Sequence, residues 1–145
     1  MVIFIGNNIM ATIYETLEKI DKLKQHKRKV DQLKDAGDFV VLTIIQGAYN
    51  KNIKFNMPPG APPYEINEGA EEKEVTKKAL GIMVRTVMDT KLVQWKREKI
   101  FTDFLKSINP QDAELVIAMK DKDLTSVFPT INKELAQEAF PKYVK

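Results

Sequence analysis

Few side chains in this 145-residue chain are of the types that perform catalysis. There is no cysteine, and the single histidine, His26, lies in a lysine-rich run with no nucleophile near it in sequence. Neighbouring cations make a histidine a poor proton acceptor, so we interpret His26 as a surface residue. The same composition excludes disulfides and a zinc site of the usual Cys/His kind. We therefore expect no enzymatic activity and no cofactor.

Two further patterns could bind phosphate or metal, and both lack residues that the chemistry requires. The glycines at positions 60 and 69 are not followed by the Gly-Lys-Ser/Thr sequence that gives a phosphate-binding loop its lysine and its magnesium ligand. The acidic cluster 71–74 includes Lys73 and opens a predicted helix, where carboxylates stabilise the helix dipole. We interpret these acids as solvated charges and predict no metal site.

The distribution of charge indicates a different chemistry, the binding of a polyanion. The chain carries a net charge of +3, yet segment 19–34 alone carries +5, segment 91–106 carries +3 and segment 60–75 carries −4. Localised basic segments are typical of proteins that bind nucleic acids. The alternative is that they are solvated helix faces, which is the commoner origin of such patterns. From these segments we take Lys24, Lys96 and Arg97 as candidate DNA-binding residues.

The elements that carry these residues are predicted to be helices. Apolar residues recur at helical spacing, and 43% hydrophobic with 30% charged residues is ordinary for a globular protein. We predict an all-α fold: a single compact domain of about six or seven short helices over residues 12–145, preceded by a flexible extension over residues 1–11. The apolar residues 1–5 are too few for a signal peptide or a membrane span. We therefore expect a cytoplasmic protein with no membrane partner.

Capping signals predict several helix boundaries. Thr12 has the spacing to its following glutamate that forms a capping box. Asn109 followed by Pro110 is a strong helix start, because the asparagine accepts a free backbone N–H and the proline has none to leave unpaired. Thr130 is the predicted N-cap of a last helix over residues 131–139.

Two apolar segments each allow two interpretations. Segment 39–49 is rich in β-branched residues, which favours a strand, but no comparable second strand exists to satisfy its backbone. We therefore predict a buried central helix. In the predicted helix 91–107, Trp95 could stack on a nucleic acid base beside the basic residues. An aromatic residue at helical spacing more often belongs to the core, so we predict that Trp95 faces inward.

Residues 50–70 form a long connection with four prolines between positions 58 and 63. Prolines at this density make the chain stiff and extended rather than helical. The connection could be a hinge, a proline-rich ligand, or a strap packed across one surface of a single domain. We prefer the strap because four apolar side chains would otherwise be exposed. These anchors are Phe55, Met57, Tyr64 and Ile66.

Three sequence motifs carry a resemblance to proteins of known origin. They are Gln-Gly-Ala-Tyr at 46–49, Pro-Pro-Gly-Ala-Pro-Pro-Tyr at 58–64 and Asp-Ala-Glu-Leu at 112–115. With them the chain resembles, along nearly its whole length, a family of small uncharacterised proteins of T4-like tailed phages.

A second, more distant likeness involves segments at both ends of the chain. Segment 14–20, the lysine-rich run ending at 32–35, Ile-Asn-Lys at 131–133 and Phe-Pro at 140–141 are similar to the N-terminal helical DNA-binding domain of the ATP-dependent DNA ligase of T-even-type phages. In the ligase domain, the turn after an Asp-Leu pair contains a glycine that lets the backbone approach DNA. This chain departs from that pattern, because Thr125 follows Asp123-Leu124.

The ligase likeness implies a duplex-DNA-binding module without a ligase's catalytic core. The Lys-x-Asp-Gly adenylation motif is absent from the chain. The ligase domain grips backbone phosphates across the minor groove, a contact that positions a protein on DNA without reading sequence. Carried over by position, the resemblance implies DNA contacts at Lys27, Arg28, Lys29, Asn132 and Lys133.

These observations lead to one hypothesis and one alternative. The hypothesis is a phage accessory protein that binds duplex DNA non-specifically, located in the host cytoplasm or in the virion. The alternative is a protein–protein interaction or virion structural protein that retains the fold without a DNA surface and docks through the proline-rich, acidic segment 58–74 onto a phage or host protein. Convergence of the basic residues on one face would favour the hypothesis, and their dispersal would favour the alternative.

Overall fold

A computed structural model of the chain describes residues 2–5, 9–37, 39–65 and 77–144. Seven α-helices within these residues pack into one compact domain, as predicted. They are α1 (Ile13–Asp21), α2 (His26–Asp35), α3 (Phe39–Tyr49), α4 (Lys77–Met88), α5 (Gln94–Lys106), α6 (Pro110–Lys120) and α7 (Lys133–Ala139). No helix in the described ranges is both long and apolar enough to cross a membrane.

A short hairpin, which was not predicted, precedes the helices. Strand β1 (Val2–Ile5) pairs antiparallel with β2 (Ile9–Thr12), and β2 leads directly into α1. The predicted flexibility of residues 1–11 stays a prediction, because strand pairing describes a conformation and not its mobility.

Helix α3 is the centre of the core, and its helical conformation confirms the interpretation of segment 39–49. Val40, Val41, Ile44 and Ile45 are fully buried, and α3 packs against α4, α6 and α7. Burial on several sides overrides the β-propensity of this run. The helix approaches α6 closely at Gly47, where an added Cβ would lie 2.6 Å from a side-chain atom of α6.

The predicted caps of α1 and α6 are confirmed, whereas the predicted cap of the last helix is wrong. The Thr12 hydroxyl accepts from the third backbone N–H of α1 at 3.1 Å, and Asn109 caps α6 with Pro110 at its first position. Helix α7 begins two residues later than predicted, because Asn132 rather than Thr130 caps it by accepting from a backbone N–H at 2.9 Å. Thr130 instead bonds to the end of α1.

Asp112, in the first turn of α6, joins the start of that helix to the start of α1. Its side chain is fully buried and accepts the backbone N–H of Tyr14 at 3.0 Å and the side-chain amide of Asn109 at 2.7 Å. One carboxylate therefore satisfies donors from two helix starts, one of which, Tyr14, is 98 residues away in sequence. Burial raises the pKa of Asp112, and the hydrogen bonds from Asn109 and Tyr14 oppose that shift.

The proline-rich connection is a strap on the surface of the domain, as predicted. Phe55 is buried, and Met57 and Tyr64 are half-buried against the core. The fourth predicted anchor, Ile66, and the predicted acidic start of the next helix at 71–72 lie outside the described residues. The strap therefore crosses the helices with its apolar side chains turned toward them, which removes these side chains from water.

The end of α6 holds the strap in place. The Lys120 ammonium is buried and donates to the carbonyl oxygens of Pro58 and Gly60 at 2.7 and 2.8 Å. The Asp121 carboxylate accepts the backbone N–H of Gly60 at 3.1 Å and pairs with Lys120 at 2.6 Å. The first two charges of the alternating run 120–123 therefore stabilise the fold.

Candidate nucleic-acid interface

A basic depression of about 440 Å³ lies where the end of α3 and the beginning of the strap meet the end of α6 and the start of α7. We call it the lysine groove. No carboxylate lines it, and five of its lining residues are lysines. They are Lys51, Lys54, Lys120, Lys122 and Lys133. Such a concave surface of one charge raises the local concentration of anions.

Three of these lysines are available to a ligand. Lys51, Lys54 and Lys133 are exposed, and their ammonium groups form no hydrogen bond or ion pair with the described part of the chain. The chain turns sharply after α3 because the Asn50 side chain accepts the N–H two residues on, at 2.9 Å. This turn places Lys51 and Lys54 on the wall of the groove.

Lys122 lines the groove, and its hydrogen bonds complete the C-terminal ends of two helices, α6 and α3. It follows the end of α6 with a φ of +57°, and its N–H and that of Asp123 bond back to the last turn of α6. This pattern is a Schellman motif, in which glycine usually occupies the left-handed position. The Lys122 ammonium donates to the carbonyls of Gly47 at 2.5 Å and Asn50 at 3.1 Å, at the end of α3. Burial lowers the pKa of Lys122.

The left-handed conformation of Lys122 has a measurable consequence. Lys122→Ala and Lys122→Gly lose the same side-chain bonds, but only glycine is relieved of the left-handed penalty. We therefore expect the glycine variant to be more stable than the alanine variant by about 1 kcal/mol in urea unfolding. At the exposed helical position Glu98, the same pair of substitutions should show the opposite order. Equal stability of the two Lys122 variants would contradict this account of the turn.

Carboxylates close to the groove reduce its positive potential without lining it. Asp121 is neutralised by Lys120, as described above. Asp123 and Glu134 lie close enough to Tyr49 to act on its hydroxyl. Burial first, and then these two carboxylates, raise the pKa of Tyr49 to about 12. The Tyr49 hydroxyl therefore stays protonated and donates to the backbone carbonyl of Ile131.

Of the residues predicted from the α2 region, three are exposed and one is structural. Lys24, Lys27 and Arg28 face solvent. Lys29 is 8% exposed, and its ammonium donates to the carbonyl of Asp21 at 2.8 Å and to the hydroxyl of Thr130 at 2.6 Å. Its bonds tie the α1–α2 corner to the turn before α7.

Two further predicted residues also have structural contacts. Arg97 is 5% exposed and donates to the carbonyls of Val87 at 2.8 Å and Asp89 at 2.6 Å, so it closes the end of α4. Its guanidinium also bonds to the Gln94 side chain. Asn132 is the N-cap of α7. The side chains of Lys29, Arg97 and Asn132 are therefore engaged in hydrogen bonds within the fold.

The remaining predicted residues are dispersed rather than gathered on one face, and this dispersal favours the protein–protein alternative over DNA contact through these residues. Lys96 is exposed on α5, which packs on α4 and α6, whereas α2 packs on α1 and α7. Lys133 alone among the predicted residues lines the lysine groove. Sequence analysis missed Lys51, Lys54 and Lys122 as site residues. For Lys51 and Lys54, the sequence contains one usable signal: two lysines follow directly after a buried helix, in a segment where the chain must turn.

The prediction that Trp95 faces inward is wrong. Its side chain is 63% exposed, and the ammonium of Lys96 lies 5.6 Å from the ring centroid. The buried stripe of α5 has helical spacing but begins with the aliphatic stem of an arginine. This stripe consists of Arg97, Phe101, Phe104 and Leu105. Trp95, two residues before the stripe begins, is rotated well away from the core.

Comparisons with known proteins identify a family for the chain. No curated protein and no solved structure matches it significantly. One protein-family model, described as "Family of unknown function (DUF6433)", matches residues 16–126. The matched part includes Lys51, Lys54 and Lys122 of the groove and ends before Lys133. Since the match spans most of the chain, the protein belongs to the family of unknown function DUF6433.

Proposed function

We propose that the protein binds duplex DNA non-specifically, through its phosphates, with the lysine groove as the main contact surface. The observation that carries this proposal is a concave site lined by five lysines and no carboxylate. Three of those lysines have no partner among the described residues, so their ammonium groups can exchange water for phosphate without breaking a bond in the fold. Contacts of this kind supply affinity but no base discrimination.

The exposed basic residues of α2 extend this surface. Lys29 bonds to Thr130, and Thr130 is three residues from Lys133, a distance of at most about 11 Å along an extended chain. The Lys29–Thr130 bond therefore connects the α1–α2 corner to the segment that leads to Lys133 of the groove. We propose Lys24, Lys27 and Arg28 as secondary phosphate contacts on this side. Lys96, on α5, is not needed for the duplex contact.

Salt dependence provides the sharpest test. Each neutralised phosphate contributes a slope of about −0.9 to the plot of log affinity against log salt. The variant Lys51→Glu/Lys54→Glu/Lys133→Glu should lose about tenfold or more in affinity and flatten this slope by about 3. Fluorescence anisotropy with nicked and intact duplexes measures both quantities, and circular dichroism checks that the fold is retained.

A matched control has the same change in net charge elsewhere. Lys78→Glu/Arg85→Glu/Lys106→Glu alters three exposed residues on α4 and α5 that do not line the groove. We expect its salt slope to stay within about one of the wild-type slope. Equal losses in the two triple variants would remove the groove as the contact surface. Absence of binding to either duplex at low salt would remove the function itself.

The wider role follows from the resemblance to phage proteins. We propose a binding module rather than an enzyme, acting as a phage accessory protein in the host cytoplasm or in the virion. The distant likeness to the helical domain of phage DNA ligase supports DNA as the polyanion. The protein would then act on DNA in replication, repair or packaging by occupying it rather than by altering it.

A protein–protein interaction is the second candidate function, and the strap favours it. Pro58, Pro59 and Pro63 are exposed on the strap, beside a recess of about 160 Å³ that reaches Phe101. A photo-crosslinking residue at position 59, compared with one at position 106, tests this function in infected cells. A specific protein adduct at position 59 only would support it, and identical adduct patterns would count against it.

A further inference from the structure

Trp95 is the most exposed of the large apolar side chains that the structure describes. A buried tryptophan contributes more apolar area than most side chains, so an exposed one forgoes that stabilisation. The fold does not use the ring as an anchor, because the buried stripe of α5 begins at Arg97. Val93, two residues before it, is also 52% exposed. The start of α5 therefore presents an aromatic face to solvent.

The backbone at Trp95 lies close to one edge of the lysine groove. Gln94, its neighbour in sequence, donates from its side-chain amide to the carbonyl of Asn56 at 3.1 Å. Asn56 lines the groove and is two residues from Lys54. Adding the lengths of one side chain, one hydrogen bond and one peptide unit keeps the Cα of Trp95 within roughly 15 Å of this edge of the groove. About four nucleotides of a strand span that distance.

We infer that this surface binds single-stranded nucleic acid, with an unpaired base stacked on Trp95 and phosphates a few nucleotides along the strand on the lysine groove. The inference rests on the proposed function of the groove. Indole rings stack on bases of any sequence, and a basic track beside an aromatic ring is the usual arrangement in proteins that bind single strands. Bases inside a duplex are paired and stacked on each other, so only an unpaired base reaches the ring.

The charges around Trp95 favour a nucleic acid over an apolar protein surface as the occupant. Lys96 is exposed, and its ammonium lies over one face of the ring, where it can meet the phosphate next to a base stacked on the other face. The neighbouring lysine of α5, Lys99, is engaged by Asp103 at 2.8 Å. Lys96 thus supplies a free positive charge at the ring. A protein partner would have to bury this lysine together with the indole.

Because Trp95 is the only tryptophan of the chain, its fluorescence reports on this site alone. Titration with an oligo(dT) strand, an oligo(U) strand and a duplex of equal length should quench the emission with the single strands and leave it nearly unchanged with the duplex. The two single strands separate a DNA ligand from an RNA ligand. Quenching by neither strand would overturn the inference.

Variants separate this inference from the proposed function. By anisotropy with labelled strands, Trp95→Ala should weaken single-strand binding about tenfold and change duplex binding less than twofold, while Trp95→Phe should retain most of the affinity. Ile82→Ala, which trims an exposed apolar side chain on α4, should leave both affinities unchanged. The groove variant Lys51→Glu/Lys54→Glu/Lys133→Glu should weaken both ligands.

The contrary results are also distinct. Unchanged single-strand affinity in Trp95→Ala, with duplex binding still dependent on the groove lysines, would overturn the stacking site and leave the proposed function in place. If the wild-type protein binds neither the single strands nor the duplex, both the stacking site and the proposed function are ruled out. Quenching of Trp95 by a purified protein partner but by no nucleic acid would assign the ring to protein docking.

Discussion

Replacing Asp112 with alanine is expected to lower the free energy of unfolding by about 3 kcal/mol. The side chain is fully buried and accepts from the Tyr14 backbone and from the Asn109 amide. Alanine leaves both donors without this acceptor, and a buried unsatisfied donor costs more than the bond itself contributes. Urea unfolding followed by circular dichroism measures the change.

The neighbouring residue provides the control. Gln111 is exposed on the same turn of α6, so Gln111→Ala should change stability by less than about 0.5 kcal/mol. A midpoint for Asp112→Ala no lower than that of Gln111→Ala would show that the carboxylate does not join the two helix starts.

The pH dependence of the same site has a definite sign. Burial raises the pKa of Asp112 above its ordinary value of 3.8. The contribution of this group to stability is therefore fully present below pH 3.8 and is lost as the pH rises through the folded-state pKa. The stability of the wild type relative to Asp112→Asn, which cannot titrate, should decrease as the pH rises above 3.8 through the raised pKa of Asp112. An increase over that range would contradict the shift.

The sequence predicted the helices well wherever the evidence was local. Thr12 and Asn109 are capping residues whose partners lie within three positions, and both boundaries are confirmed. The helical conformation of α3 followed from the lack of a partner strand, an argument about hydrogen bonding rather than propensity. The prediction that Thr130 caps the last helix is wrong because Thr130 stands just before the apolar run that starts that helix, while its actual partner, Asp21, is 109 residues away.

The site was harder to predict because a basic residue does not reveal its partner. Lys27, Arg28 and Lys29 are indistinguishable in a charged run, yet only Lys29 is drawn inward, by a hydroxyl 101 residues away. Arg97 is a candidate DNA-binding residue by its charge alone, but it occupies a core position and closes the end of α4. The groove lysines come from three segments that meet only after folding, and no local pattern joins them.

The three charged residues that end α6 connect the fold to the proposed site. Lys120 and Asp121 hold the strap by hydrogen bonds. Lys122 donates to carbonyls at the end of α3 and lines the groove. A strap that moved would carry Lys54 and Asn56 with it, because both belong to the same connection. Binding through the groove therefore depends on bonds within the fold that need not involve the ligand.

Lys120→Met is accordingly expected to destabilise the protein by about 3 kcal/mol and to release the strap. The methionine matches the length of the lysine stem, but the carbonyls of Pro58 and Gly60 lose their donor and Asp121 loses its partner. Removing one member of a buried pair leaves an uncompensated charge, which is the costly part of the change. Hydrogen exchange should show faster deuterium uptake at Gly60, whose N–H bonds to Asp121.

A double substitution tests whether that uncompensated charge is the cause. Asp121→Asn in the Lys120→Met background removes the charge and keeps an acceptor for the Gly60 N–H. The double variant should therefore be more stable than the sum of the single changes predicts, by about 1 kcal/mol or more. Lys142→Met, at an exposed lysine, should have no effect on stability or on exchange at Gly60. Strict additivity, with exchange at Gly60 unchanged in Lys120→Met, would show that the strap is held by its apolar anchors alone.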